Sequence, residues 1–276
     1  MNAPMLALLF GFLILPAVCI AMERLWPQVK GARTFRAGFG ADVVWYLVQS
    51  FVSRLLAPWV VFFFVLPVFV LGDLPLEDYW VGFGPAAQLP FAVQVACVFV
   101  AGDFLSYWQH RLFHTQAAWP IHAVHHSSEQ LDWLSTTRFH PLNEIGAQLI
   151  YVAPLIALGF SSLAVVVLAP FTATYAVLLH ANINLSFGPF RYVFASPTFH
   201  RWHHTKTAEA QNKNFAGFLP VWDVLFGTFY HPAGKTPQQF GIDEAIPEGF
   251  WAQLFSPFRA QPTRLDGFGS RTRSES

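Results

Sequence analysis

Residues 145–190 form a run of 46 residues without one Asp, Glu, Lys or Arg. A helix crosses a bilayer with about 20 apolar residues, so this run is too long for one crossing and fits two. Pro154, the Gly159–Ser162 tetrapeptide GFSS and Pro170 interrupt it. The expected form is a hairpin that turns near GFSS and returns to the side it left. Three more runs are long enough to span. Residues 3–22 carry no charge, residues 43–72 carry only Arg54, and residues 79–102 carry none before Asp103. Arg54 is expected to snorkel toward the headgroups. The opening MNAPM lacks the basic start of a cleaved leader, so the first run reads as a retained helix.

Composition supports a membrane chain and narrows its chemistry. Charged residues make up 12% of the sequence and apolar ones 54%, against about 25% charged in soluble domains. The formal net charge is zero, which argues against a nucleic-acid partner. Cys19 and Cys97 both lie in apolar runs and read as buried apolar residues, not as a disulfide or a metal clip. The stretch 23–42 carries Arg24, Lys30, Arg33 and Arg36, whereas 73–78 carries three acids and no base. The positive-inside rule then places the first loop in the cytoplasm and the second outside. On this reading the fold is all-α, a polytopic bundle of about four hydrophobic segments, the last a hairpin, with a cytoplasmic helical cap. Residues 1–256 are expected to form one integral membrane domain, and 257–276 a polar, flexible tail.

The cap is where the histidines are. Ten of the eleven fall between His110 and His204. HRLFH, at 110–114, spaces two rings at i and i+4, one face of a helix. HAVHH places His122, His125 and His126 at i, i+3 and i+4, and HRWHH repeats the spacing with His200, His203 and His204. His140 and His180 stand alone, and His231 lies outside the pattern. Neutral imidazole ligates zinc, copper, iron or nickel. A mononuclear zinc site uses three or four protein ligands, so ten candidates point to two metals. Asp103 lies on the helix face of Tyr107, His110 and His114 and is a candidate to accept a proton from a ligand ring. Asp223 and Glu144 are weaker candidates of the same kind. Trp108, Trp119, Trp133, Trp202 and Trp222 read as an interfacial belt.

Over residues 103–230 the chain resembles the fatty acid hydroxylase superfamily, in its sterol desaturase branch. DFLSYWQHRLFH, WPIHAVHHSSEQLDWLSTTRFHP, HANINL, SPTFHRWHH and NFAGFLPVWDVLFGTFY carry the likeness, and ERLWP at 23–27 is similar to bacterial members. The resemblance implies an integral membrane enzyme with a histidine-ligated di-iron centre. Such an enzyme uses O₂ and electrons to hydroxylate or desaturate a sterol, a fatty acyl chain or a related lipid. It carries metal binding onto His110, His114, His122, His125, His126, His200, His203 and His204, and onto the single positions His140 and His180. Iron has redox states that activate O₂, and zinc, which has none, can replace it in imidazole sites. Fatty acyl 2-hydroxylases tend to a longer first-box spacing than the one here, which argues against that substrate. Electrons are expected from a separate ferredoxin-type or cytochrome b5-type donor with its reductase. The expected location is a bacterial inner membrane, with the histidines facing the cytoplasm. The rival reading is a non-catalytic or transport-related histidine-rich metal-binding membrane protein.

Overall fold

The computed structural model describes residues 10–259. These contain only helices and loops, apart from two isolated antiparallel bridges at Pro27–Ile183 and Thr205–Phe240. The first helix, α1 (Leu15–Leu25), follows a π turn at Phe10–Ile14. The start of the expected first helix, residues 3–9, lies outside the described residues, as does the tail beyond residue 259. A second helix, α2 (Phe39–Val60), runs through a π turn at Val61–Val65 into α3 (Leu66–Leu71). Pro58 and Pro67 each remove a backbone donor, and the π turn between them takes up the mismatch. Phe51, Leu55, Trp59, Phe62, Phe63 and Phe64 are exposed along this rod. The Arg54 side chain lies outside the described residues.

Two helices are long and apolar enough to cross a membrane. They are α4 (Phe91–Phe113) and, near the end of the uncharged run, Ser162–His180. Only 22% of the most apolar window of each is buried. A core helix of a soluble protein would bury most of such a window, so the exposed Val93, Val100, Val166 and Phe171 need an apolar surround.

The hairpin takes the expected form. After α5 (Trp119–His126), α6 (Pro141–Ala147) continues through a π turn at Gln148–Val152 into α7 (Ala153–Ala157). The chain turns at 158–161 and returns as α8 (Ser162–His180). Gly159, at φ 92°, permits that turn, because a Cβ there would lie 2.4 Å from the Phe83 carbonyl oxygen. The tip is pinned to the segment before α4. Phe83 N donates to Gly159 O at 2.9 Å, and the Ser161 hydroxyl donates to Trp80 O. Since α4 starts beside this tip and packs on α8, both long helices run the same way. Their C-terminal ends therefore bring His110 and His180 to one side. Three short helices follow α8: α9 (Pro197–His203), α10 (Val221–Leu225) and α11 (Phe250–Phe255).

Candidate metal centre

Nine of the ten expected histidines converge, in two groups. His110, His114, His122, His126 and His203 form one, and His125, His180, His200 and His204 the other. Within each group the ligating nitrogens all lie within 4.8 Å of one another. The helices explain the division. On α5, His122 and His126 are i and i+4, about 40° apart, and enter the five-histidine group. His125, at i+3, points about 60° the other way and enters the four-histidine group. On α9 the assignment is exchanged: His200 and His204 enter the second group and His203 the first. HRLFH completes the first group from the end of α4, and His180 completes the second from the end of α8.

Backbone carbonyls set the tautomers. Nδ1 of His110 faces Phe215 O at 2.8 Å, and Nδ1 of His203 faces Lys213 O at 2.7 Å. Nδ1 of His125 faces Arg138 O at 3.2 Å, and Nδ1 of His180 faces Ala176 O at 2.8 Å. A carbonyl oxygen only accepts, so each of these Nδ1 atoms carries the proton and each Nε2 presents a lone pair. Asn143 Nδ2 lies 3.0 Å from His122 Nδ1, and its Oδ1 has no partner. Turning that amide over lets Oδ1 accept from a protonated Nδ1 and gives His122 the same tautomer.

This arrangement tests whether a metal fits. Nε2 of His125 and Nε2 of His180 stand 3.1 Å apart, and neither carries a proton to share. Two lone pairs at that distance repel unless a cation lies between them. Nε2 of His110, His114 and His122 are buried without any partner, a cost that a metal ion removes. Burial first, and neighbouring imidazoles second, hold His114, His122, His125 and His126 well below the ordinary histidine range. Burial likewise leads in lowering His200, His203 and His204. The rings are therefore neutral, as ligands must be. The donor set fits two ions of a metal that accepts imidazole, and its nine nitrogens exceed the four of one structural zinc site.

His140 does not join either group. Its Nδ1 accepts from Leu142 N at 3.1 Å and its Nε2 faces Leu254 O at 3.0 Å, so it caps α6 and ties it to α11. The expected bond from Asp103 to a ligand ring is replaced by three others. Asp103 accepts from Phe218 N and Leu219 N, both at 2.9 Å, and from the Trp222 indole at 3.0 Å. Asp223 accepts from Phe215 N at 2.8 Å, Ala216 N at 2.9 Å and the Thr228 hydroxyl at 2.6 Å. Burial pushes Asp223 up, and these three bonds oppose the shift. Both carboxylates thus act on the loop whose Phe215 carbonyl orients His110. They position a ligand's partner, one step further out than helix periodicity suggested. Glu144 pairs with Gln49 and Gln148, away from the rings.

The tryptophan belt is only partly as expected. Trp108 is exposed, but Trp133 and Trp202 are buried. Trp119 packs its ring 5.2 Å from that of His114 and 5.3 Å from that of His126, and donates to Glu244 at 3.2 Å. It shields the five-histidine group.

Comparison with known proteins adds a second line of evidence. The fatty acid hydroxylase family model matches residues 95–228. The ornithine lipid hydroxylase OlsE of Rhizobium tropici is 35% identical over 185 residues, 67% of this chain and 56% of that protein. Alkylglycerol monooxygenase of Homo sapiens is 32% identical over 164 residues, 59% of this chain and 35% of that protein. A very-long-chain aldehyde decarbonylase of Oryza sativa subsp. indica is 28% identical over 138 residues, 46% of this chain and 22% of that protein. The matches thus span about half of the bacterial relative and about a third or less of the other two. No solved structure matches the chain.

Proposed function

This chain belongs to the fatty acid hydroxylase superfamily, and on that premise we propose that it is a membrane-embedded, O₂-dependent hydroxylase of a lipid, built on two histidine-bound iron ions. The observation that carries the reading is the pair of facing, unprotonated Nε2 atoms of His125 and His180 inside a nine-histidine cluster. His110, His114, His122, His126 and His203 would hold one ion, and His125, His180, His200 and His204 the other. Bound iron would supply the activation of O₂ needed to oxidise an unactivated C–H bond. The protein's own work is to fix the ring orientations through carbonyl oxygens and to keep the cluster dry with Phe215, Trp119 and the loop that Asp103 and Asp223 hold.

The two more similar of the named relatives act, by their names, on ornithine lipid and alkylglycerol, which favours a membrane lipid with a polar head over a sterol. Hydroxylation is favoured over desaturation for the same reason. In this reading the two long helices, the α2–α3 rod and the hairpin form the bilayer-spanning bundle. The histidines lie at its cytoplasmic face, where a lipid reaches them sideways and a separate protein delivers electrons. A transporter would line its spanning helices with ionisable residues. Here Asp103, within α4, is buried and accepts from three donors.

The test pairs iron analysis with lipid mass spectrometry of cells with and without the chain. The expected result is two irons per chain and a lipid that gains one oxygen; His204→Ala should fall to one iron and lose the product. A lipid that loses two hydrogens would replace hydroxylation by desaturation. Two irons with no product, given reductant and O₂, would favour the non-catalytic metal-binding reading.

A further inference from the structure

ERLWP lies about 80 residues before the first histidine box, and the metal centre as described gives it no part. The structure shows what it touches. Glu23 Oε1 accepts from Asn182 N at 2.8 Å and from Trp133 N at 2.9 Å. Arg201, within HRWHH and 1% exposed, donates through one nitrogen, Nη1, to Leu131 O at 2.7 Å and His180 O at 3.2 Å. Two short stretches, 131–133 and 180–182, are thus held alike. In each, Arg201 takes the carbonyl of the first residue and Glu23 takes the N–H of the third.

The following residues extend the clamp. Val29 N donates to Asn182 Oδ1, and Asn182 Nδ2 donates to Val29 O, both at 2.9 Å. Asn184 N donates to Trp26 O at 3.0 Å. The segment after α1 thus lies along the segment after His180 as a short antiparallel bridge.

The clamp sits where a ligand needs it. His180 is the last residue of α8, and its carbonyl is among those a helix end leaves without an intrahelical partner. Helix ends fray, and a cation near a helix C-terminus opposes that. Arg201 provides the cation, and its guanidinium is held in turn against the Phe240 ring, 4.4 Å from the centroid.

We propose that Glu23 and Arg201 are positioning residues that hold His180 in the four-histidine group, so that the N-terminal helix is part of the metal centre's support. This rests on the two-metal reading above. The loss of such support costs metal affinity about 10–100-fold, and it falls on one ion, because the clamp bonds a ligand residue directly only at the His180 carbonyl, whereas Leu131 and Trp133 belong to neither histidine group.

The experiment measures iron content and iron retention against a chelator. It uses the full chain in detergent, reconstituted anaerobically with ferrous iron. Glu23→Leu and Arg201→Met should keep the five-histidine ion and lose the other. Glu23→Gln retains the accepting oxygen and Arg201→Lys retains a single cationic donor, so both should restore the second ion. If Glu23→Leu and Arg201→Met hold two irons as tightly as the parent, the proposal falls. It falls too if both ions are lost in parallel, for the pair then only supports the fold. Should Arg201→Met not be recoverable, Glu23→Leu against Glu23→Gln carries the same comparison. A parent protein that binds one iron would overturn the two-metal reading itself, a result distinct from two irons with indifferent variants.

Discussion

Asp223 offers the sharpest test of how the five-histidine group is held. It is fully buried, and its two oxygens accept from Phe215 N, Ala216 N and the Thr228 hydroxyl. Asp223→Ala leaves the Phe215 and Ala216 amides without that partner, whereas the Thr228 hydroxyl keeps Tyr107 Oη at 3.0 Å. Each orphaned buried donor costs about 1–3 kcal/mol. Water entering the truncated site moves the total for the two amides toward the lower bound, about 2–3 kcal/mol. The cost is spread along a loop with two duties. Its Phe215 carbonyl holds His110, and the Lys213 carbonyl two residues earlier holds His203. A loosened loop therefore releases two of five ligands from their tautomer and orientation. Iron affinity at that group should fall about 10–100-fold, the usual effect of losing a ligand's outer partner.

The assay is thermal melting in detergent together with chelator competition for iron. Asp223→Ala should melt lower and lose the five-histidine ion at a lower chelator concentration, with the other ion unchanged. Asp223→Asn should fall between, since one amide oxygen remains to accept. A variant that melts lower but releases both irons as the parent does would refute the link from carboxylate to carbonyl to ligand. That link would then be packing alone.

Three further outcomes follow from the same geometry. His231 is buried beside Phe199 and Phe229, away from both groups, and burial with Arg191 nearby pulls it down to about 4; His231→Ala should keep two irons, and a loss of either would break the assignment. The seven ligand rings of the cap have folded pKa values below the free value, so the unfolded chain binds more protons in acid; the iron-free protein should keep this stability above about pH 6.5 and lose it progressively as pH falls below, and a melting temperature that rises from pH 7.5 to 5.5 would contradict this. For topology, cysteines replacing the exposed Glu129 and Glu209, in a background without Cys19 and Cys97, should label from one side and a cysteine replacing the exposed Leu76 from the other; opposite labelling of 129 and 209 would rule out a shared centre.

Much of the centre was legible in residue spacing, because a helix converts i, i+4 into one face and i+3 into another. The uncharged 46-residue run likewise implied a returning hairpin, and Gly159 supplies its turn. What spacing cannot supply is the partner that a face meets. Asp103 shares a face with His110, yet the loop at 218–222 reaches its carboxylate first. His140 precedes a proline at a helix start, and such a position asks for a cap as readily as it offers a ligand. Trp133 and Trp202 carry the composition of a membrane belt but fill the interior. The carbonyls of Phe215, Lys213, Arg138 and Ala176, which fix four ligands, leave no trace in side-chain identity at all. Glu23 was visible only as part of ERLWP, a segment similar to bacterial members of the superfamily whose use depends on a strand-like contact with HANIN.

The adjacent histidine pairs give the partition its own test. Neighbours on a helix diverge by about 100°, so His125 and His126 enter different groups, as do His203 and His204. Each HH pair therefore ties the two groups together through one peptide bond. The two members are not equivalent. Removing His126 leaves four imidazoles in its group, a full set for a bound ion, whereas removing His125 leaves three. His126→Ala should therefore retain two irons, the affected one bound more weakly. His125→Ala should fall to one. The exchanged pair on α9 should mirror this, with His203→Ala retaining two and His204→Ala falling to one. Equal losses from neighbouring positions would show that the histidines form one undivided cluster, and the five-and-four division would be wrong.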